Sequence, residues 1–193
     1  MQDFAFYFKL GWQHIISLDA LDHLLFILAL SAIYLLSNWR QVLVLVTAFT
    51  IGHSLTLALS VYKILAVKDS LVEFLIPCTI IITAVFNFFQ KDFTPKSLRL
   101  NYFLALFFGL IHGLGFANTI RFMLAKNQGI GWSLFSFNVG LEAGQIVVVI
   151  CILLLSFLIV NKGQLKRKWW LWALSGVAFC IALKMVVERT PIH

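Results

Sequence analysis

Apolar residues along this chain come in long unbroken blocks rather than in the alternating or three-to-four spacing of half-buried elements. The blocks cover residues 22–36, 42–61, 71–89, 101–124, 132–160 and 169–187. About 20 apolar residues cross the ~30 Å of bilayer hydrocarbon as a helix, and a helix satisfies its own backbone hydrogen bonds where no water is present. Six spans are therefore expected. The first block is short, so its helix is expected to begin nearer Ser17; the fifth is long, so its start is read as an interfacial turn or a re-entrant piece. Ahead of the first block, "FAFYFKLGWQHII" mixes aromatic residues with Lys9 and His14 and is too short to cross, which suits a helix lying in the membrane interface. Loops are brief, the longest being the stretch around "QKDFTPKSLRL". The expected fold is an all-α polytopic membrane bundle, six transmembrane helices plus a short N-terminal interfacial helix, forming one integral membrane domain over residues 1–193.

Composition strengthens the membrane assignment. Apolar residues make up 61% of the chain, charged residues 12%, and the mean hydropathy is +0.95, whereas soluble chains are about 25% charged. The early sequence lacks the basic segment, short apolar stretch and small-residue site of a cleavable secretory signal, so the N-terminus is expected to stay. The net charge of +7 is spread over short loops, with one cluster at "KGQLKRK". Anionic lipid headgroups, not nucleic acid, are the expected partner of these cations. Cys78, Cys151 and Cys180 sit singly inside apolar blocks and read as small packing residues. Loops after spans one, three and five hold eight Lys and Arg, the other side seven. The densest cluster lies on the first side and Asp3, Asp19 and Asp69 on the second, which places both termini outside the cytoplasm.

Successive spans run in opposite directions, so depth is counted from alternate ends. Asp22 and His23 open span one, His53 lies past the middle of span two, and Glu73 opens span three. His112 is at or past the middle of span four, and Asn138 and Glu142 come early in span five. All fall in one half of the membrane. An ionisable group at the centre of a span costs about 2.5–3.5 kcal/mol on insertion scales, so such groups face the bundle interior and mark function. Three histidines at one depth can hold a metal, because neutral imidazole and carboxylate are ordinary ligands for zinc, nickel or iron. The plainer alternative is that each histidine only hydrogen-bonds across helices. Gly52, Gly109, Gly113, Gly115, Gly140 and Gly144 flank the candidates and let helices approach closely enough for side chains to converge.

The motifs "GWQHIISLDALDHLLFI", "FTIGHSLTL", "LVEFLIP", "FGLIHGLGFA" and "FNVGLEAGQ", in this order, resemble the HupE/UreJ family of membrane proteins along essentially the whole chain. The resemblance implies a multi-pass protein of a bacterial inner membrane, and the orientation drawn from the loop charges puts the site toward the periplasmic side. Hydrogenase- and urease-associated members are regarded as nickel or cobalt permeases, with a histidine shortly before the Asp-His pair. Here His14 precedes His23 by nine positions, a longer gap, and is assigned to substrate rather than to the ligand set. The long-gap form is similar to a Bacteroidota subgroup resembling intramembrane glutaminyl cyclases, which act on the N-terminal glutamine of exported polypeptides. That implies a zinc-dependent cyclase forming pyroglutamate with release of ammonia. Its expected ligands are His23, His53 and His112, with Glu142 as proton shuttle, Asp22 orienting a ligand, and Glu73 receiving the substrate ammonium. Asn138 and Gln145 would bind the substrate backbone. The alternatives are a nickel or cobalt permease using the same cluster, and a passive metal-storing accessory protein.

Overall fold

A computed structural model describes residues 2–17, 20–90, 99–116, 120 and 129–190. Among these the chain is helical and holds no strand. The helices are α1 (Gln2–Ile16), α2 (Leu21–Ser31), α3 (Trp39–Val61), α4 (Asp69–Phe89), α5 (Arg99–Gly115), α6 (Ile130–Ser156) and α7 (Arg167–Glu188). A 3-10 turn at Leu36–Asn38 leads into α3, and α6 runs on as a π-helical stretch, Phe157–Lys162. Buried apolar residues from all seven helices form one core cluster. Large apolar side chains such as Phe89, Phe103 and Val187 are left on the outside, as a lipid-facing surface requires.

Four of these helices are long and apolar enough to cross a membrane: Leu36–Val61, Asp69–Phe89, Ile130–Lys162 and Arg167–Glu188. The expectation of six spans is not met among the described residues. The first expected span appears as the 11 residues of α2, about 16 Å at 1.5 Å per residue, roughly half the hydrocarbon thickness. It reaches spanning length only with α1, to which it is bent by 67°. The fourth expected span is a shorter apolar helix, Asn101–Gly115, and most of residues 117–124 lie outside the described residues. The long fifth span starts as regular helix at Ile130 rather than as an interfacial turn.

The N-terminal helix also differs from the interfacial reading. Tyr7, Gly11 and Ile15, four apart and so on one face, are buried, while Lys9 and Gln13 are exposed. That amphipathic pattern suits a helix docked on protein as well as one lying on lipid, and glycine decides between them. A Cβ on Gly11 would collide with the Phe137 carbonyl oxygen, and one on Gly140 with the Phe8 carbonyl oxygen. The backbones of α1 and α6 are thus in direct apposition. The same device joins α3 to α5, where Gly52, Gly109 and Gly113 each meet a backbone carbonyl of the facing helix. In lipid no hydrophobic force drives helices together, and close packing through small residues supplies the attraction.

Polar side chains tie the remaining contacts. Thr47 and Thr50 of α3 donate to Glu142 and Gln145 of α6, both at 2.8 Å. Asn87 of α4 donates to the Ala29 carbonyl of α2 at 2.7 Å and to the Ser175 hydroxyl of α7 at 2.9 Å. Pro77 lies inside α4, and since proline has no N–H, the Glu73 carbonyl four residues earlier loses its usual donor. Arg189, just past α7, reaches that carbonyl at 3.5 Å.

Candidate metal centre

Four histidines from four helices meet at one end of the bundle: His14 of α1, His23 of α2, His53 of α3 and His112 of α5. His23, His53 and His112 are buried and His14 is partly so. Ring centroids lie 4.7 Å apart for His14–His23, 5.2 Å for His23–His112, 5.8 Å for His23–His53 and 6.3 Å for His14–His53. One nitrogen from each of His14, His23 and His53 falls within 4.8 Å of the others. His112 stands beside His23, with Nδ1 2.8 Å from the Phe108 carbonyl oxygen. A carbonyl only accepts, so that nitrogen carries the proton and Nε2 is left with a lone pair, the arrangement usual for a ligating imidazole.

Five of the cluster's ring nitrogens are unmatched. His14 Nε2, His23 Nε2, His112 Nε2 and both ring nitrogens of His53 are buried without a hydrogen-bond partner. A buried unpaired polar group costs about 1–3 kcal/mol; several at one point constitute a strong local demand for an electrophile. Neutral imidazoles converging without thiolate fit a borderline divalent cation such as zinc, nickel or cobalt. None of the three cysteines lines the adjoining cavity.

That cavity, about 240 Å³, opens beside the cluster and is walled by His14, His23 and His112. His53 is not part of that wall. Asp22, Glu73 and Arg189 also line it. Asp22 Oδ2 accepts from Arg189 Nη1 at 3.0 Å, while its Oδ1 is buried and unpartnered. Glu73 is exposed. Phe116, also in the wall, lies 4.0 Å from the His14 ring and stacks on Phe137 at 5.2 Å.

The sequence-derived residues therefore divide into two sets. Asp22, His23, Glu73 and His112 share the cavity, and His53, outside its lining, stands 5.8 Å from the His23 ring. His14, assigned from sequence to substrate, enters the three-residue group that can share an ion, because the bend between α1 and α2 turns its ring onto His23. Glu142, Asn138 and Gln145 line none of the cavity. Glu142 and Gln145 instead face α3 at Thr47 and Thr50, six and three residues before His53, or about 9 and 5 Å along the helix. Counting depth from the start of a span ignores helical phase, and phase turns these two side chains toward an earlier turn of α3. Arg189 is a charged cavity residue that the sequence reading passed over as a site candidate; its signal is its position just past α7, at the end of the bundle where Asp22 opens α2.

A family model described as HupE / UreJ protein matches residues 1–189. No curated protein and no solved structure matches the chain. With helices fit to cross a membrane and a family match running almost from end to end, this chain belongs to the HupE/UreJ family of membrane proteins.

Proposed function

We propose that this protein is a permease for divalent transition-metal cations of the nickel and cobalt class, captured at the four-imidazole cluster. The observation that carries the reading is the set of buried, partnerless ring nitrogens on His14, His23, His53 and His112. Family membership supports it through the permease activity attributed to HupE/UreJ members. Asp22 and Glu73 at the cavity mouth attract the cation, and the Arg189 ion pair holds the Asp22 carboxylate in place. The basic loop between α6 and α7 lies at the opposite end of the bundle from the cavity. By the preference of cationic loops for the cytoplasm, the cavity faces away from it, in a bacterial inner membrane.

The test is nickel and cobalt uptake into liposomes bearing the purified protein, alongside equilibrium binding in detergent. One ion bound per chain and time-dependent uptake are expected. Binding that is absent, or present without uptake, rejects the permease.

A second reading is favoured by the cavity itself, whose size and acidic rim suit the ammonium and side chain of one terminal residue. It is a zinc-dependent cyclase acting on the N-terminal glutamine of exported polypeptides. Zinc would supply polarisation of the side-chain amide carbonyl. Glu73 would hold the terminal amine, and Asp22, which lines the cavity as Glu142 does not, would move a proton from that amine to the departing ammonia. Mass spectrometry of a glutamine-terminated peptide incubated with zinc-loaded protein distinguishes the two, since only a cyclase releases ammonia.

A further inference from the structure

The large cavity carries a group that cation capture alone does not call for. Its wall combines the imidazoles of His14, His23 and His112 with the carboxylates of Asp22 and Glu73, and Arg189 stands among them. Among the described residues lining it, Arg189 alone carries a permanent positive charge. Like charges repel, the more so where water is excluded. A guanidinium in this wall therefore works against any cation that enters.

Three helices fix it there. Arg189 follows α7; its Nη1 donates to Asp22 Oδ2 of α2 at 3.0 Å and reaches the Glu73 carbonyl of α4 at 3.5 Å. Pro77, lacking an N–H, is what leaves that carbonyl without its helical donor. Glu188, the carboxylate next to Arg189 in the chain, pairs instead with Lys184 at 3.6 Å. The side chains of Arg189 and Asp22 are 31% and 17% exposed, so the pair is partly shielded while the guanidinium keeps contact with solvent. Asp22 Oδ1 is buried without a partner. The guanidinium thus occupies one carboxylate oxygen and leaves the other open.

The chemistry of the competing ions gives this arrangement a use. Magnesium and calcium are hard cations that bind carboxylate oxygen, whereas imidazole suits zinc, nickel and their neighbours. An acidic mouth with no counter-charge would take up the hard ions. With Asp22 committed to Arg189, a magnesium ion must break an ion pair and gains only oxygen ligands in return. An ion that also gains imidazole nitrogen has the surplus to displace the guanidinium. Discrimination of this kind comes from a repulsive element as much as from attractive ones.

We propose that Arg189 is a specificity-determining residue of the metal centre, a tethered cation that holds Asp22 against magnesium and calcium and yields to ions that bind imidazole. Resting on the metal reading of the histidine cluster, this role requires binding alone and not transport.

The experiment is isothermal titration of nickel in detergent, with magnesium chloride or with sodium chloride at matched ionic strength. It compares the wild type, Arg189→Gln, Arg189→Lys and the Asp22→Asn/Arg189→Gln double variant. In sodium chloride Arg189→Gln should bind nickel about fivefold or more tightly than the wild type, and magnesium should abolish that gain. Arg189→Lys, which restores a charge, should recover the discrimination against magnesium. The double variant should lose both the gain and the magnesium sensitivity, because the carboxylate through which Arg189 acts is gone. If Arg189 only braces α2 against α7, Arg189→Gln binds nickel no more tightly than the wild type and stays indifferent to magnesium. That result overturns the role of Arg189 and leaves the metal centre standing. A wild type that binds no nickel in either salt overturns both.

Discussion

The imidazole cluster makes unequal demands on its members. His53 presents two unpartnered ring nitrogens and His112 one, its other being fixed by the Phe108 carbonyl. His14 shares the close group with His23 and His53 although it sits on a helix that looks peripheral in sequence. His14→Ala should therefore weaken nickel or zinc binding as strongly as His53→Ala, by more than the ~10–100-fold that loss of a ligand's outer hydrogen-bond partner costs. Glu142→Gln should leave affinity within about twofold, because the amide oxygen can still accept from Thr47 and no ligand is disturbed. Isothermal titration of the three variants checks both, and a His14→Ala protein with unchanged affinity would remove α1 from the site. Three histidines at one depth were legible as a candidate site because ionisable groups stand out against apolar blocks. The membership of His14 was not, because a nine-residue gap acquires meaning only once the angle between α1 and α2 is known.

Among the elements, glycine positions decide which helices pair. Gly11 with Gly140, and Gly52 with Gly109 and Gly113, admit carbonyl oxygens where any Cβ would stand. Gly176 of α7 has nothing within 4 Å of an added Cβ. Gly140→Leu should therefore separate α1 from α6 and lower the midpoint of thermal unfolding in detergent sharply, carrying His14 away from His23 and reducing metal binding with it. Gly176→Ala should leave the midpoint unchanged or raise it slightly, since alanine is favoured over glycine by about 1 kcal/mol in a helix interior. Equal effects from the two would show that apposition of α1 and α6 is not what holds the N-terminal helix. The boundaries of α3, α4 and α7 follow the apolar blocks closely, because an uninterrupted run of spanning length leaves the backbone little choice but helix. The first block failed as a span for lack of length, and the residues that complete it belong to a helix whose mixed composition resembles an interfacial segment.

Across the whole molecule, two kinds of asymmetry coincide. The metal-capable cluster and its acidic mouth occupy one end, while Arg40 and the Lys162, Lys166, Arg167 and Lys168 loop occupy the other. If cationic loops face the cytoplasm, a cysteine at the cavity end reacts with a membrane-impermeant thiol reagent in intact cells, and one at the basic end reacts only after lysis. Lys68 and Lys166 are both exposed loop positions on opposite ends, so Lys68→Cys and Lys166→Cys make the comparison, read by labelling yield. The reverse pattern would place the cavity on the cytoplasmic side.

What the sequence determined by itself was the membrane class, the helical nature of the spans and the presence of histidine and carboxylate at related depths. These follow from transfer free energy, which depends on composition and run length and needs no knowledge of neighbours. Tertiary structure alone decided which helices touch, that α1 joins the bundle, that Glu142 and Gln145 bond to α3 away from the cavity, and that Arg189 closes on Asp22. Those outcomes depend on helical phase and on backbone contact at particular glycines. Both are relations between segments, and no apolar run, however long, encodes the direction in which its side chains point.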